Sequence, residues 1–263
     1  MNSNRQYQYL RPKELVALRR QKPVAYIGLG ILEWHGLHNP VGLDGIKADE
    51  VVKWLAARIG GLVMPPLYWG DHRQKIAEIL FDSAVSPWFP DEMGDHSSQI
   101  CDAMSLPRNQ LEAEGQRVED GDGWRLWQEL VVNMLFQTRS LGFEAIVLYP
   151  GHYPMIEPLA QAVENFANLG GQTKIIVLQD QMAGDGDHAA MFETSLLLAL
   201  RPDLVDLSEL DDNGSDHLGV LGDDPLKFAT TGFGQQILDK FEKIVSAQLS
   251  QIIFHVEEQR IQR

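Results

Sequence analysis

Between Ile31 and Asp44 the chain reads ILEWHGLHNPVGLD, which places two carboxylates and two histidines within fourteen residues. Glu33 and His35 are two positions apart, so in an extended backbone their side chains leave from one face and converge on one point. Asp44 follows nine residues later, and Gly36, Pro40 and Gly42 punctuate the loop, letting the backbone turn back toward the first pair. Such a loop is able to deliver three ligands to one spot. The chemistry it suits is metal binding.

Further polar candidates occur downstream. His152 stands in Tyr149-Pro150-Gly151-His152-Tyr153-Pro154, and a later polar loop carries Asp185, Asp187 and His188. Glu193 lies among Met191, Phe192, Leu196, Leu197 and Leu198, where a carboxylate is costly to bury unless it is paired or binds metal. Cys101 is the only cysteine, which excludes an intrachain disulfide and thiolate clusters. Any ion must be held by imidazole and carboxylate. That donor set suits Zn²⁺, Mn²⁺ or Fe²⁺, and a bridging carboxylate admits two ions.

The other charged and imidazole groups have no comparable setting. His38, His72, His96, His217 and His255 read as structural, and Asp91, Glu92, Asp120 and Asp122 as solvated charge. Gly28 and Gly30 do not make a dinucleotide loop, because the third glycine and the helix start are missing.

The elements that must position these groups alternate between strands and helices. A short helix is expected over 11–20, then a strand over Val24 to Leu29, an apolar run of the kind buried on both faces. Val51, Val52, Leu55 and Ile59 recur at helical spacing until Gly60-Gly61, so a helix begins close to Asp44. Leu62 to Leu67 reads as a second strand, Ala145 to Leu148 as a third and Lys174 to Leu178 as a fourth. Helices are expected between Trp124 and Gly142, from Ile156 to Leu169, and from Gln235 to Val256. Residues 82 to 123, with three prolines and the acidic run GQRVEDGDG, are expected to be loops with little regular structure. This alternation predicts an α/β fold with a mostly parallel sheet covered on both faces. Ligands of such sheets bind outside the carboxyl ends of the strands, and the clusters at 33–44, 152 and 185–193 all follow strands.

Composition sets the frame. With 44% apolar and 22% charged residues, the 263-residue chain is expected to form a single domain over 1–263, carrying an insertion at about 82–123. A net charge of −15 and the lack of a basic patch argue against nucleic acid. The N-terminal stretch lacks the apolar segment of a secretory signal, and no run reaches membrane-spanning length, so no membrane partner and a cytoplasmic location are expected.

Taken together, the clusters resemble the creatininase (creatinine amidohydrolase) family. Glu33-Trp34-His35-Gly36-Leu37-His38 with Pro40 and Asp44 is similar to its E-x-H-G-x-H-x-P-x-x-x-D signature, and Gly151-His152 to its glycine-histidine turn after a strand. Asp187-His188-Ala189-Ala190 and Phe192-Glu193-Thr194-Ser195 resemble its acidic-His-small-small and E-T-S segments, which Pro202-Asp203-Leu204-Val205 continues. Gly219-Val220-Leu221-Gly222-Asp223, with Ala229-Thr230 and Gly232, is similar to its C-terminal G-x-x-G-D stretch.

The resemblance implies a three-layer α/β/α sandwich, a two-metal site, hydrolysis of amide C–N bonds and, usually, a homo-hexamer. It implies Glu33, His35, Asp44 and His152 as ligands with Asp44 bridging, Glu193 as an acidic residue at the centre, and His188 as the group that handles protons. Asp187 is expected to orient His188, and Tyr153 to contact the substrate. The chain departs from creatininase proper at Pro154, where that enzyme has a glutamate ligand, and at Gly184, where it has a tryptophan over the substrate. The usual P-G-T segment after the second strand is absent, and residues 82–123 stand in its place. The expected function is metal-dependent hydrolysis of a cyclic or linear non-peptide amide, with a small-molecule substrate attacked by metal-activated water. The alternatives are a non-catalytic metal- or ligand-binding member of the fold, or a relative acting as a formamide deformylase or peptidase.

Overall fold

The computed structural model of the chain describes residues 4–70, 97–111, 113, 123–213 and 217–261. The run VAYIGL forms strand β1 (Val24–Leu29), and every residue of it is buried. A run with no polar face needs cover on both sides. Val24 and Tyr26 face one helical layer, while Ala25, Ile27 and Leu29 face the other.

β1 pairs in parallel with β2 (Leu62–Val63) and β3 (Ala145–Pro150), and β3 pairs in parallel with β4 (Lys174–Val177). The sheet order is β2-β1-β3-β4. Val24 lies opposite Ala145 and Leu29 opposite Pro150, so β1 and β3 end level. Their following loops therefore emerge side by side at the carboxyl edge.

The helices are α1 (Pro12–Gln21), α2 (Leu43–Ile59), α3 (Ser97–Ala103), α4 (Gly123–Ser140), α5 (Ile156–Asn168), α6 (Met191–Leu200), α7 (Pro225–Phe228) and α8 (Thr231–Ile261). On one face of the sheet α2, α6 and α8 bury Val51, Leu55, Leu196, Ile237 and Phe241. On the other, α4 and α5 bury Trp127, Val131, Leu159 and Phe166, with Leu15 and Leu18 of α1 packed against them. This is the expected three-layer α/β/α sandwich. Among the described residues no helix is long and apolar enough to cross a membrane.

Two expectations need correction. The second strand stops at Val63 instead of running to Leu67, because Pro65 and Pro66 have no N–H for a ladder. The chain still follows β1, with the Leu67 N–H bonded to the Gly28 carbonyl at 3.1 Å. Within 82–123, the described part contains α3, whose Ile100 and Cys101 pack on Trp34. Ile100, Cys101 and Met104 share one helical face, and prolines on either side mask that short pattern. The rest of the expected insertion, with His72, His96, Asp91, Glu92, Asp120, Asp122 and the His255 side chain, lies outside the described residues.

Candidate metal centre

The loop after β1 and the start of α2 are pressed against the end of β3. A Cβ on Gly30 would stand 2.3 Å from the Gly45 nitrogen, and one on Gly151 would stand 2.1 Å from the Asp44 carbonyl oxygen. Only glycine at both places lets the first turn of α2 sit directly over the two strand ends. Asp44 is thereby held, almost wholly buried, between the loop bearing Glu33 and His35 and the turn bearing His152.

The side chains converge there. Asp44 Oδ1 lies 3.1 Å from His35 Nε2, and Oδ2 lies 3.2 Å from His152 Nδ1. Glu33 Oε2 lies 3.0 Å from His152 Nδ1 and 3.9 Å from His35 Nε2. Glu193, in the first turn of α6, brings its Oε2 to 3.7 Å from His35 Nε2. All five side chains are buried. Three sets of potential ligand atoms lie within 4.8 Å of one another: Glu33, Asp44 and His152; His35, Asp44 and Glu193; and Glu33, His35 and His188. Asp44 belongs to two of them.

The donors fit a cation. Glu33 Oε2 and Asp44 Oδ2 are buried, accept no hydrogen bond of good geometry among the described residues, and share the single ring nitrogen His152 Nδ1 at 3.0 and 3.2 Å. Two buried carboxylate oxygens that share one donor are under-satisfied, and a cation between them would complete their coordination. His35 Nδ1 faces the Glu33 carbonyl at 3.1 Å. A carbonyl only accepts, so Nδ1 donates and Nε2 points into the site, the arrangement typical of ligating histidines.

The charges act strongly on one another when no cation lies between them. Burial works against protonation of His35 and His152. The carboxylates outweigh it, Asp44 chiefly for His35 and Glu33 chiefly for His152, and lift both to about 9. Burial likewise works against ionisation of Asp44, but His35 and His152 hold it well below the usual carboxylate range. His188 goes the other way: burial lowers its pKa, and Glu33 offsets this only in part.

His188 stacks on His35 with ring centroids 4.4 Å apart. Its Nε2 donates to the Trp34 carbonyl at 3.0 Å, so Nδ1 faces inward, 3.9 Å from Glu33 Oε2. The Asp187 carboxylate, expected to orient this ring, has its hydrogen bonds elsewhere. Its Oδ2 accepts from the Phe192 N–H at 2.5 Å and its Oδ1 from the Glu193 N–H at 3.1 Å, so this carboxylate caps the start of α6. The Tyr153 hydroxyl is buried without a hydrogen-bond partner among the described residues and packs on Gly186, where a Cβ would lie 1.4 Å away. His38 is structural, its Nε2 3.0 Å from the Ala189 carbonyl and 3.1 Å from Thr194 Oγ1.

Sequence reasoning missed Lys47, Asp180 and Tyr149. Lys47 is buried and donates to Glu193 Oε1 at 2.5 Å and to Asp180 Oδ2 at 3.0 Å, while the Tyr149 hydroxyl donates to Asp180 Oδ1. A signal existed. Lys47, Val51 and Leu55 share the apolar stripe of α2, so a charge there is as anomalous as Glu193.

The fold and the site define an α/β/α protein with a carboxylate–imidazole cluster of metal-binding type at its strand ends. The Creatininase family model, described as creatinine amidohydrolase, matches residues 8–86 and 125–241, and the chain belongs to that family. It is 27% identical over 212 residues to the creatinine amidohydrolase of Pseudomonas putida, covering 72% of this chain and 69% of that one. A solved creatininase described as the Mn form superposes with a TM-score of 0.64 at 21% identity, over 95% of this chain and 98% of the other. A mutant creatininase of Zn-Zn type does so with 0.63, at the same identity and coverage.

Proposed function

We propose that the chain hydrolyses an amide C–N bond of a small, non-peptide molecule, cyclic or linear, with two divalent ions. Zinc and manganese are favoured by the forms in which solved relatives occur. The observation that carries this reading is the division of Asp44, whose two oxygens face His35 and His152 separately. On this reading Glu33, Asp44 and His152 hold one ion, and His35, Asp44 and Glu193 hold the other. Ions so placed make water a better nucleophile near neutral pH and polarise a carbonyl oxygen.

The chain's own residues do the rest. His188 keeps its proton on Nε2 against the Trp34 carbonyl and offers the Nδ1 lone pair to the site. Because burial keeps this ring neutral near pH 7, Nδ1 takes a proton as water adds to the amide carbon and returns it to the leaving nitrogen. Asp187 supports this loop only through the backbone of α6.

A binding protein without turnover is the second reading. It is favoured by Pro154, which stands where creatininase proper has a glutamate ligand. Metal content measured by inductively coupled plasma mass spectrometry, beside the Asp44→Ala variant and a panel of cyclic and linear amides, tests both. Near two equivalents of metal, lost in the variant together with hydrolysis, is expected. Metal without turnover on any amide favours the binding reading, and no metal after reconstitution overturns the hydrolase reading and leaves the binding one in the lead.

A further inference from the structure

Lys47 lies one turn after Asp44 on the buried stripe of α2, with no side-chain exposure. An ammonium so close to a site for cations is unfavourable by simple repulsion, so its partners matter. Asp180 alone would be a sufficient partner for a structural lysine. Yet the shorter contact, 2.5 Å against 3.0 Å, is to Glu193. The network is also supported from behind, since the Tyr149 hydroxyl donates to the other oxygen of Asp180.

The two oxygens of Glu193 thus have separate tasks. Oε1 is held by Lys47, while Oε2 accepts from the Ala189 N–H at 2.7 Å and faces His35. We propose that Lys47 is a positioning residue for the second ion: by holding Oε1 it leaves Oε2 as the single oxygen that Glu193 presents toward His35 and Asp44. Asp180 and Tyr149 fix the ammonium in turn. The proposal rests on the two-ion reading of the site. Without the ammonium, Oε1 loses the donor that holds it, and Glu193 swings out of its orientation whether or not Asp180 is charged.

The test is a Mn²⁺ titration of the full chain followed by electron paramagnetic resonance, which counts bound ions and shows exchange coupling when two are adjacent. Three proteins are compared: the unaltered chain, Asp180→Asn, and Lys47→Met/Asp180→Asn. Lys47→Met alone leaves two buried carboxylates without a cation and is prone to unfold. The unaltered chain and Asp180→Asn are expected to bind two ions. The double variant is expected to keep the first ion at unchanged Kd, to bind the second roughly 10- to 100-fold more weakly, and to lose the coupled signal. If it does not fold, Lys47→Met/Asp180→Leu exchanges the pair for apolar groups, a change that is often tolerated, with the same expected loss.

A lysine that only neutralises Asp180 would leave both constants unmoved in the double variant, and that result overturns the proposal. A single ion in the unaltered chain, or none, overturns the two-ion reading on which the proposal rests. The failure of the lysine's role and the failure of the site's reading are therefore separable.

Discussion

The backbone of Gly151, at the end of β3, lies against the carbonyl of Asp44, at the start of α2, with no room for a methyl group between them. The contact is backbone to backbone, so no rotamer change relieves it. Gly151→Ala is expected to lower the unfolding free energy by about 1 to 3 kcal/mol, as overpacking does, by pushing the first turn of α2 away from the strand ends. Because Asp44 belongs to two of the candidate ligand sets, metal held at either set, as proposed, should bind more weakly. Urea unfolding and metal stoichiometry measure the two effects. A variant with unchanged stability and metal content would show that α2 is not seated as described.

Asp187 and His188 are adjacent in the chain but serve different partners. Asp187→Ala removes two acceptors for the N–H groups of α6 and is expected to cost about 1 kcal/mol, in the range of a lost helix cap. The pH profile of kcat should stay in place, because the Trp34 carbonyl continues to hold His188. On the proposed mechanism, in which His188 carries the proton, His188→Ala should lower kcat by roughly 100- to 10,000-fold, the usual contribution of a general acid–base group. A profile displaced in Asp187→Ala would restore the orienting role to the carboxylate.

How legible the fold and site were follows from where the signals lie. β1 was legible because VAYIGL is apolar throughout, and α2 because its stripe ends at Gly60-Gly61. Glu33, His35 and Asp44 stood out through spacing, and Glu193 through its apolar surroundings. Their proximity to His152 rests on level strand ends, a register that only pairing across more than a hundred residues establishes. The agent that orients His188 was invisible, since a backbone carbonyl leaves no mark on residue type. Lys47 and Asp180 are 133 residues apart, and neither proclaims its partner. The reading of β2 failed for a local reason, two consecutive prolines at the end of an apolar run.

His38 makes acid stability testable at a residue that belongs to none of the three candidate ligand sets. Burial lowers its pKa to about 4, with the Ala189 carbonyl offsetting only part of the effect. The unfolded chain takes up a proton near pH 6.5, before the folded chain does. The stability contributed by neutral His38 is therefore present above pH 6.5 and is lost as pH falls toward 4. At about 1.4 kcal/mol per pKa unit, the full loss is about 3 to 4 kcal/mol. His38→Gln cannot titrate and should flatten the dependence of urea-unfolding free energy between pH 6.5 and 4 in chelated protein. Equal slopes in the two proteins would assign acid sensitivity elsewhere.

Metal binding should release protons. Without a cation, His35 and His152 are lifted to about 9, so both carry a charge at pH 7. Their folded values lie above the unfolded one, so these pairings stabilise the chelated protein fully below pH 6.5, and the contribution is lost as pH rises through 9. A ligating imidazole must be neutral, so filling both positions at pH 7 is expected to expel about two protons per chain. Calorimetric titration with Zn²⁺ in buffers of different ionisation enthalpy gives that number directly. The same competition makes apparent metal affinity rise with pH up to about 9 and level off above it. His152→Ala removes one of the two charged rings, so its proton release should fall to about one. Uptake of metal with no proton release would mean that the histidines are already neutral in the chelated protein, and the carboxylate pairings that hold them charged would have to be rejected.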